Sequence, residues 1–213
     1  MTRSHDRILV VLFLGSVWGA FEVFGYRWLT LLAVPHKSPF LFAFAIMTLV
    51  AAKRIAPFSG SALIMAVIAG FYKVLTLSLP ACGSNAVMAL ILDAAAFEVV
   101  YAVLRNYFDS GFLKRTTLAI LITFIAYSAF AIYATYINPE GTAVSRTFTG
   151  VLSYLRSSGI LAALLTIFTF NLGLAMGNLI WTRLTLPEYH KRAGMSRIIA
   201  AGLTAGVWVI RLI

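Results

Sequence analysis

A chain of 213 residues that is 61% hydrophobic and only 11% charged, with a mean hydropathy of +0.92, lies well outside soluble domains, which run near half apolar and a quarter charged. A soluble fold of this length has too little interior to hide that much apolar surface, so lipid is the expected solvent. The net charge of +10 is spread over loops with no binding module visible, which argues against nucleic acid and fits anionic lipid headgroups instead.

The apolar stretches are continuous, about 16 to 27 residues each, which predicts helices; barrel strands would be short and alternating. A helix also satisfies its own backbone amides in lipid. The expectation is an all-α integral membrane protein, a single six-helix transmembrane domain. The first helix is predicted over about 8–34. It is too long for a secretory signal, carries Glu22 and Arg27, and lacks a clear small-residue cleavage site. The second is predicted over 38–52, bounded by Pro35 and Pro39 before it and Lys53, Arg54 and Pro57 after it. The third is predicted over 57–79, ended by Pro80 and Gly83, and the fourth over 84–104 with Ser84 as N-cap. A polar loop from Asn106 to Arg115 leads to the fifth, 116–137, which ends in the turn Asn138-Pro139-Glu140-Gly141.

Between residues 143 and 157, Phe148, Val151, Leu152 and Leu155 recur at helical spacing, opposite Arg146, Thr149, Ser153 and Arg156. That pattern predicts an amphipathic segment lying at the interface or capping a cavity. The sixth helix is predicted over 158–182. Residues 198–213 form either a short seventh span or an interfacial helix. With the N-terminus in the cytoplasm, eleven Lys and Arg fall on the cytoplasmic side and four outside, a positive-inside bias that favours this orientation. The single cysteine, Cys82, excludes an intramolecular disulfide.

Glu22, Asp93, Glu98 and Lys73 lie inside apolar helices. A charge at the bilayer centre costs roughly 2.5 to 3.5 kcal/mol, so such residues face the bundle interior, pair with one another, or line a pocket. Counting about 1.5 Å per residue places Glu22 and Lys73 in the outer half, Asp93 near the middle and Glu98 in the inner half. Glu22 and Lys73 are therefore expected to meet, as a ligand-binding pair or as a structural pair that fixes register. Trp18, Glu22 and Tyr26, spaced four apart, share one face, and an aromatic wall beside a charge pair suits a polar ring compound. Asn171, midway along helix 6, adds a neutral donor and acceptor. Glu98, by its depth, is expected to pair with cytoplasmic-side arginines or a partner and is left out of the pocket.

Gly15 and Gly19 form a GxxxG, with Ser16 and Ala20 beside them, and Gly173 and Gly177 repeat the spacing. Such small faces let helices approach closely in lipid, within one chain or between chains. Catalysis finds little support, since HExxH, Gly-x-Ser-x-Gly and Walker A loops are absent and His5, His36 and His190 lie far apart. No enzyme activity, cofactor or metal is expected.

The string from Gly15 through Trp18 to Glu22, and the run from Pro57 through Lys73 followed by an acidic residue in Met88–Glu98, resemble motifs of the substrate-binding S components of energy-coupling factor transporters. The likeness covers roughly residues 10–105. It implies a six-helix protein of the cell membrane that holds a vitamin-like small molecule in an outer-half pocket formed here by Trp18, Glu22, Tyr26, Lys73, Asp93 and Asn171. It also implies docking through Gly15, Ser16, Gly19 and Ala20 onto a membrane coupling subunit driven by two ATPase subunits. Other classes remain open: a lipid-acting enzyme or accessory factor using Arg146 and Arg156, a structural helper of a membrane complex, or an autonomous ion-coupled transporter.

Overall fold

The computed structural model describes residues 2–75, 84–138, 147–185 and 202. Among the described residues there are helices and turns and no strand. Helices α1 (Thr2–Leu31), α2 (Ser38–Ile55), α3 (Ser61–Leu75) and α4 (Ser84–Leu104) follow in order, and a 3-10 turn, Arg105–Tyr107, extends α4. Helix α5 (Phe112–Ile132) runs on through a π turn, Tyr133–Ile137. Helix α6 (Phe148–Tyr154) joins α7 (Ile160–Thr185) through a second π turn, Leu155–Gly159. Five stretches are long and apolar enough to cross a membrane, namely Arg7–Leu31, Ser38–Ile55, Asn85–Tyr107, Phe112–Ile137 and Phe148–Thr182. These are the attributes of a multi-pass membrane protein. Helix α3 is apolar but shorter, about 22 Å at ~1.5 Å per residue against a hydrocarbon core of about 30 Å.

The boundaries differ from the sequence expectation where local chemistry explains it. Helix α1 begins earlier and stops at Leu31, ahead of Ala33 and His36, whose φ values of 50° and 52° lie in the left-handed region. Helix α2 runs past Lys53 and Arg54 to Ile55, because the chain stays apolar until Pro57. Helix α3 starts only at Ser61, after Gly60 turns the backbone at φ 84°. Helix α5 begins at Phe112, one residue past an extended Gly111.

The predicted amphipathic segment is not a separate element. It forms the opening turns of the last long rod, because neither proline nor a left-handed residue interrupts the chain between Thr147 and Ile160. Thr147 caps it by accepting a hydrogen bond from the Gly150 amide. Its inward face is also rotated from the expected one, with Val151 and Ser158 buried while Phe148 and Leu152 are exposed. The stretch 198–213 lies outside the described residues except for Gly202, which sits against Phe13 of α1.

Helix α2 is the centre of the bundle. Ala45, Ile46, Leu49, Val50, Ala51, Ala52 and Ile55 are all buried, so it is enclosed on every side, and it packs against α1, α3, α4 and α7. Two glycine seams make the closest helix approaches. On α7, a Cβ at Gly173 would lie 2.5 Å from the Met47 carbonyl oxygen, and one at Gly177 would lie 2.7 Å from Arg54 Cβ. On α1, a Cβ at Gly19 would lie 2.9 Å from Ala69 Cα, and one at Gly15 would lie 3.1 Å from Met65 Cα on α3. Replacing Gly173 by leucine is therefore expected to separate α7 from α2 and to destabilise the bundle by about 1–3 kcal/mol or more. Thermal unfolding in detergent checks this, with Gly111→Ala as the control. That site has nothing within 4 Å of a built Cβ and should leave the midpoint unchanged.

Candidate functional site

Two polar layers lie at opposite ends of the apolar bundle. The first, at the end holding the α2–α3 connection, is built on Lys53, whose side chain is fully enclosed. Its Nζ donates to both Glu98 carboxylate oxygens at 2.8 Å, to the Phe58 carbonyl at 2.8 Å and to Ser61 Oγ at 3.0 Å. The Tyr101 ring lies 4.8 Å from the ammonium. Glu98 Oε1 also accepts the Ala62 amide at 2.9 Å, satisfying an open donor in the first turn of α3. One residue on, Arg54 pairs with Asp109 and donates through Nε to Asn178 Oδ1 at 2.7 Å, tying α2 to the α4–α5 connection and to α7. The Lys53 ammonium and the Glu98 carboxylate are both bonded within the chain, which is the mark of a structural clamp.

The second layer lies in the half nearest the α1–α2 connection. Lys73 of α3 meets Glu22 of α1 at 3.1 Å, and both side chains are almost fully buried. Lys73 Nζ also donates to the Glu22 carbonyl at 3.0 Å. Trp18, one turn earlier on α1 and fully buried, donates Nε1 to Glu22 Oε1 at 3.4 Å. The Tyr26 ring, one turn later, lies 5.4 Å from Lys73 Nζ and 5.1 Å from Lys37 Nζ. The structure thus brings Trp18, Glu22, Tyr26 and Lys73 into direct contact.

Asp93 enters this layer from α4. The buried neighbours Leu90, Ala94 and Phe97 mark the inward face of that helix, and Asp93 shares it. Asp93 is half-buried and makes no hydrogen bond or ion pair among the described residues. Asn171 donates its Nδ2 to the Ile167 carbonyl of its own helix at 2.9 Å, and no hydrogen bond joins it to Glu22, Lys73 or Asp93 among the described residues. Gly15, Ser16 and Gly19 are buried, with α3 packed over both glycines and the Ser16 hydroxyl bonded to the Leu12 carbonyl, while Ala20 is half-buried. This small face is therefore occupied by the chain's own α3. Arg156 is exposed in the second π turn, and Arg146 lies outside the described residues.

Several residues of both layers escape sequence reasoning. Lys53 looks like a loop charge beside Arg54, and the signal that it lies inside is the apolar Ile55-Ala56 that follows it. Glu98 pairs with this lysine rather than with an arginine or a partner. Tyr127 of α5 and Tyr154 of α6 stack at 5.6 Å, and the Phe42 ring of α2 meets Tyr127 edge-on at 5.3 Å. His36 Nδ1 lies 3.3 Å from Ser158 Oγ, linking the strained α1–α2 connection to the second π turn. Asn85 and Asn138 join the start of α4 to the end of α5 at 2.8 Å. Both π turns border this layer, and such turns are frequent at functional sites. Among the described residues, no three His, Cys, Asp or Glu side chains are grouped to hold a metal ion. No family model, curated protein or solved structure matches the chain.

Lys53→Met alone should destabilise the fold by about 3–5 kcal/mol by stranding a buried carboxylate. Adding Glu98→Gln, which keeps an acceptor for Ala62, should recover part of that loss. Unfolding of the two variants in detergent measures the difference; equal stability of Lys53→Met and the unsubstituted protein would remove the clamp.

Proposed function

We propose that the chain is a membrane-embedded substrate-binding subunit for uptake of a small polar, vitamin-like nutrient, energised by partner subunits. The observation that carries this reading is the incomplete polar layer. Glu22, Lys73, Trp18 and Tyr26 form a charge pair walled by aromatics, while Asp93 faces the same interior with accessible surface and no partner among the described residues. Placing three charged groups in one half of an apolar bundle has a purpose when a solute completes their bonding.

With the N-terminus cytoplasmic, as the positive-inside bias favours, the α1–α2 connection faces outward and the layer opens toward the external medium of the cell membrane. This placement agrees with the resemblance of the Gly15–Glu22 and Pro57–Lys73 motifs to S components. The six helical rods then form a six-span bundle in which α3 enters the membrane as a short apolar helix. Docking onto a coupling membrane subunit and its ATPases falls to surfaces other than the α1–α3 seam, since α3 covers Gly15 and Gly19.

A second reading has one observation in its favour: Glu22 and Lys73 satisfy each other and join α1 to α3, as a purely structural pair would. The two readings separate by experiment. Native mass spectrometry of protein purified gently from its host's membranes should show a small molecule of vitamin size, lost in Glu22→Gln and in Lys73→Met. Uptake of that molecule by cells should fall about tenfold or more in either variant, because each leaves an unpaired charge in the site. Empty wild-type protein, or equal uptake by folded variants, would favour the structural pair.

A further inference from the structure

We infer that the connection between α4 and α5 is a binding surface for anionic phospholipid. Arg105, Lys114 and Arg115 hold the headgroup phosphate, and the exposed Val103, Phe112 and Leu113 meet the acyl chains. The inference is independent of the solute-binding reading and concerns the opposite end of the bundle. Residues 105–115 carry three cations and one acid, Asp109. Arg54 of α2 already pairs with that acid. Arg105, Lys114 and Arg115 therefore keep their charge, with no ion pair among the described residues. The connection is also pinned. Phe108 at its centre is buried, with its ring 4.7 Å from Tyr101, 5.1 Å from Phe170 and 6.0 Å from Phe97. Its carbonyl accepts Arg115 Nε at 3.2 Å, which leaves the rest of the guanidinium fork unbonded among the described residues. Lys114 Nζ lies 5.2 Å from the Tyr107 ring. The chain thus fixes where two of the three cations stand, which lowers the ordering cost of binding.

Depth selects the partner. Asn85–Tyr107 and Phe112–Ile137 are each long and apolar enough to cross a membrane, so residues 108–111 join two spans at one face of it. Arg105 is two residues from the end of the first span, and Lys114 and Arg115 are two and three residues into the second. At ~1.5 Å per residue all three lie within about 5 Å of the span ends, at the level of lipid headgroups. Val103, Phe112 and Leu113, next to these cations in the chain, are 74%, 64% and 78% exposed. Unpaired cations and exposed apolar side chains side by side fit a molecule that carries a phosphate and hydrocarbon together. Nucleic acid or an acidic soluble segment would use the charge and nothing of Phe112 and Leu113.

The test is native mass spectrometry of the full chain in detergent, titrated with an equimolar mixture of phosphatidylglycerol and phosphatidylcholine that carry identical chains. The unsubstituted protein should retain phosphatidylglycerol about tenfold more strongly. Arg105→Gln, Lys114→Gln and Arg115→Gln together should remove that preference. Arg105→Gln with Lys114→Gln, both at exposed positions, should reduce it several-fold and serves if the triple variant does not fold. Arg156→Gln, at an exposed position near the other end of the bundle, should leave it unchanged. Glycerol phosphate, which has the charge without the chains, should not displace the lipid at equal concentration. Equal retention of the two lipids, a preference that survives in both charge variants, its equal loss in Arg156→Gln, or displacement by glycerol phosphate would each overturn the lipid surface.

Discussion

A lysine ammonium inside an apolar helix bundle has no water to solvate it, and this single constraint organises the interior. Lys53 and Lys73 are both nearly fully buried, on different helices and at opposite ends of the bundle. Each is met by a glutamate from another helix and by backbone carbonyl oxygen. Removing one partner from such a pair leaves a charge whose desolvation nothing offsets, whereas apolar replacement of both can be nearly neutral. The pairs therefore contribute specificity more than raw stability. Lys53 requires α2, α3 and α4 to meet in one register, and Lys73 requires the same of α1 and α3.

Those registers are reachable only because backbones come close. In lipid, helices gain little from apolar contact alone, so association relies on close packing of small residues. Gly15 and Gly19 let α3 lie against α1, which brings Lys73 within reach of Glu22 one turn beyond Gly19. Gly173 and Gly177 do the same for α7 on α2, and Arg54, beside Gly177, then reaches Asn178 and Asp109. Glycine seam and polar contact are thus one device at each interface: the small residue sets the distance and the charged residue sets the register. Helix α2, enclosed on all sides and rich in alanine, is the common wall against which both seams close.

The sequence made the helical membrane architecture legible because long apolar runs have few other solutions. The meeting of Glu22 and Lys73 was also legible, since α1 and α3 run in the same direction and depth along each follows from rise per residue. Lys53 was not. Its neighbour Arg54 and the following Pro57 made a cytoplasmic loop the simpler reading, and only tertiary packing shows that one of two adjacent cations turns inward. Asn171 illustrates the opposite error, because depth alone says nothing of azimuth, and its amide bonds along its own helix. Tyr127 and Tyr154 were invisible as a pair because they lie 27 positions apart on helices whose rotation no periodicity specifies. The π turn after Tyr154 was equally hidden, since no breaker residue announces it.

The two polar layers differ in one respect that bears on function. Around Lys53 the bonding is saturated: two carboxylate oxygens, a carbonyl and a hydroxyl surround the ammonium, and the carboxylate also serves the α3 backbone. In the half that holds Glu22 it is not, for Asp93 makes no hydrogen bond or ion pair among the described residues. An apolar substitution at Asp93 would remove a desolvation cost. The same end of the bundle also carries the left-handed Ala33 and His36 and both π turns, backbone features that cost stability and gather where a protein does its work. The two lysine layers thus differ in how completely their central groups are bonded, the Lys53 ammonium being surrounded by acceptors and Asp93, on the inward face of α4 in the other half, making no hydrogen bond or ion pair among the described residues.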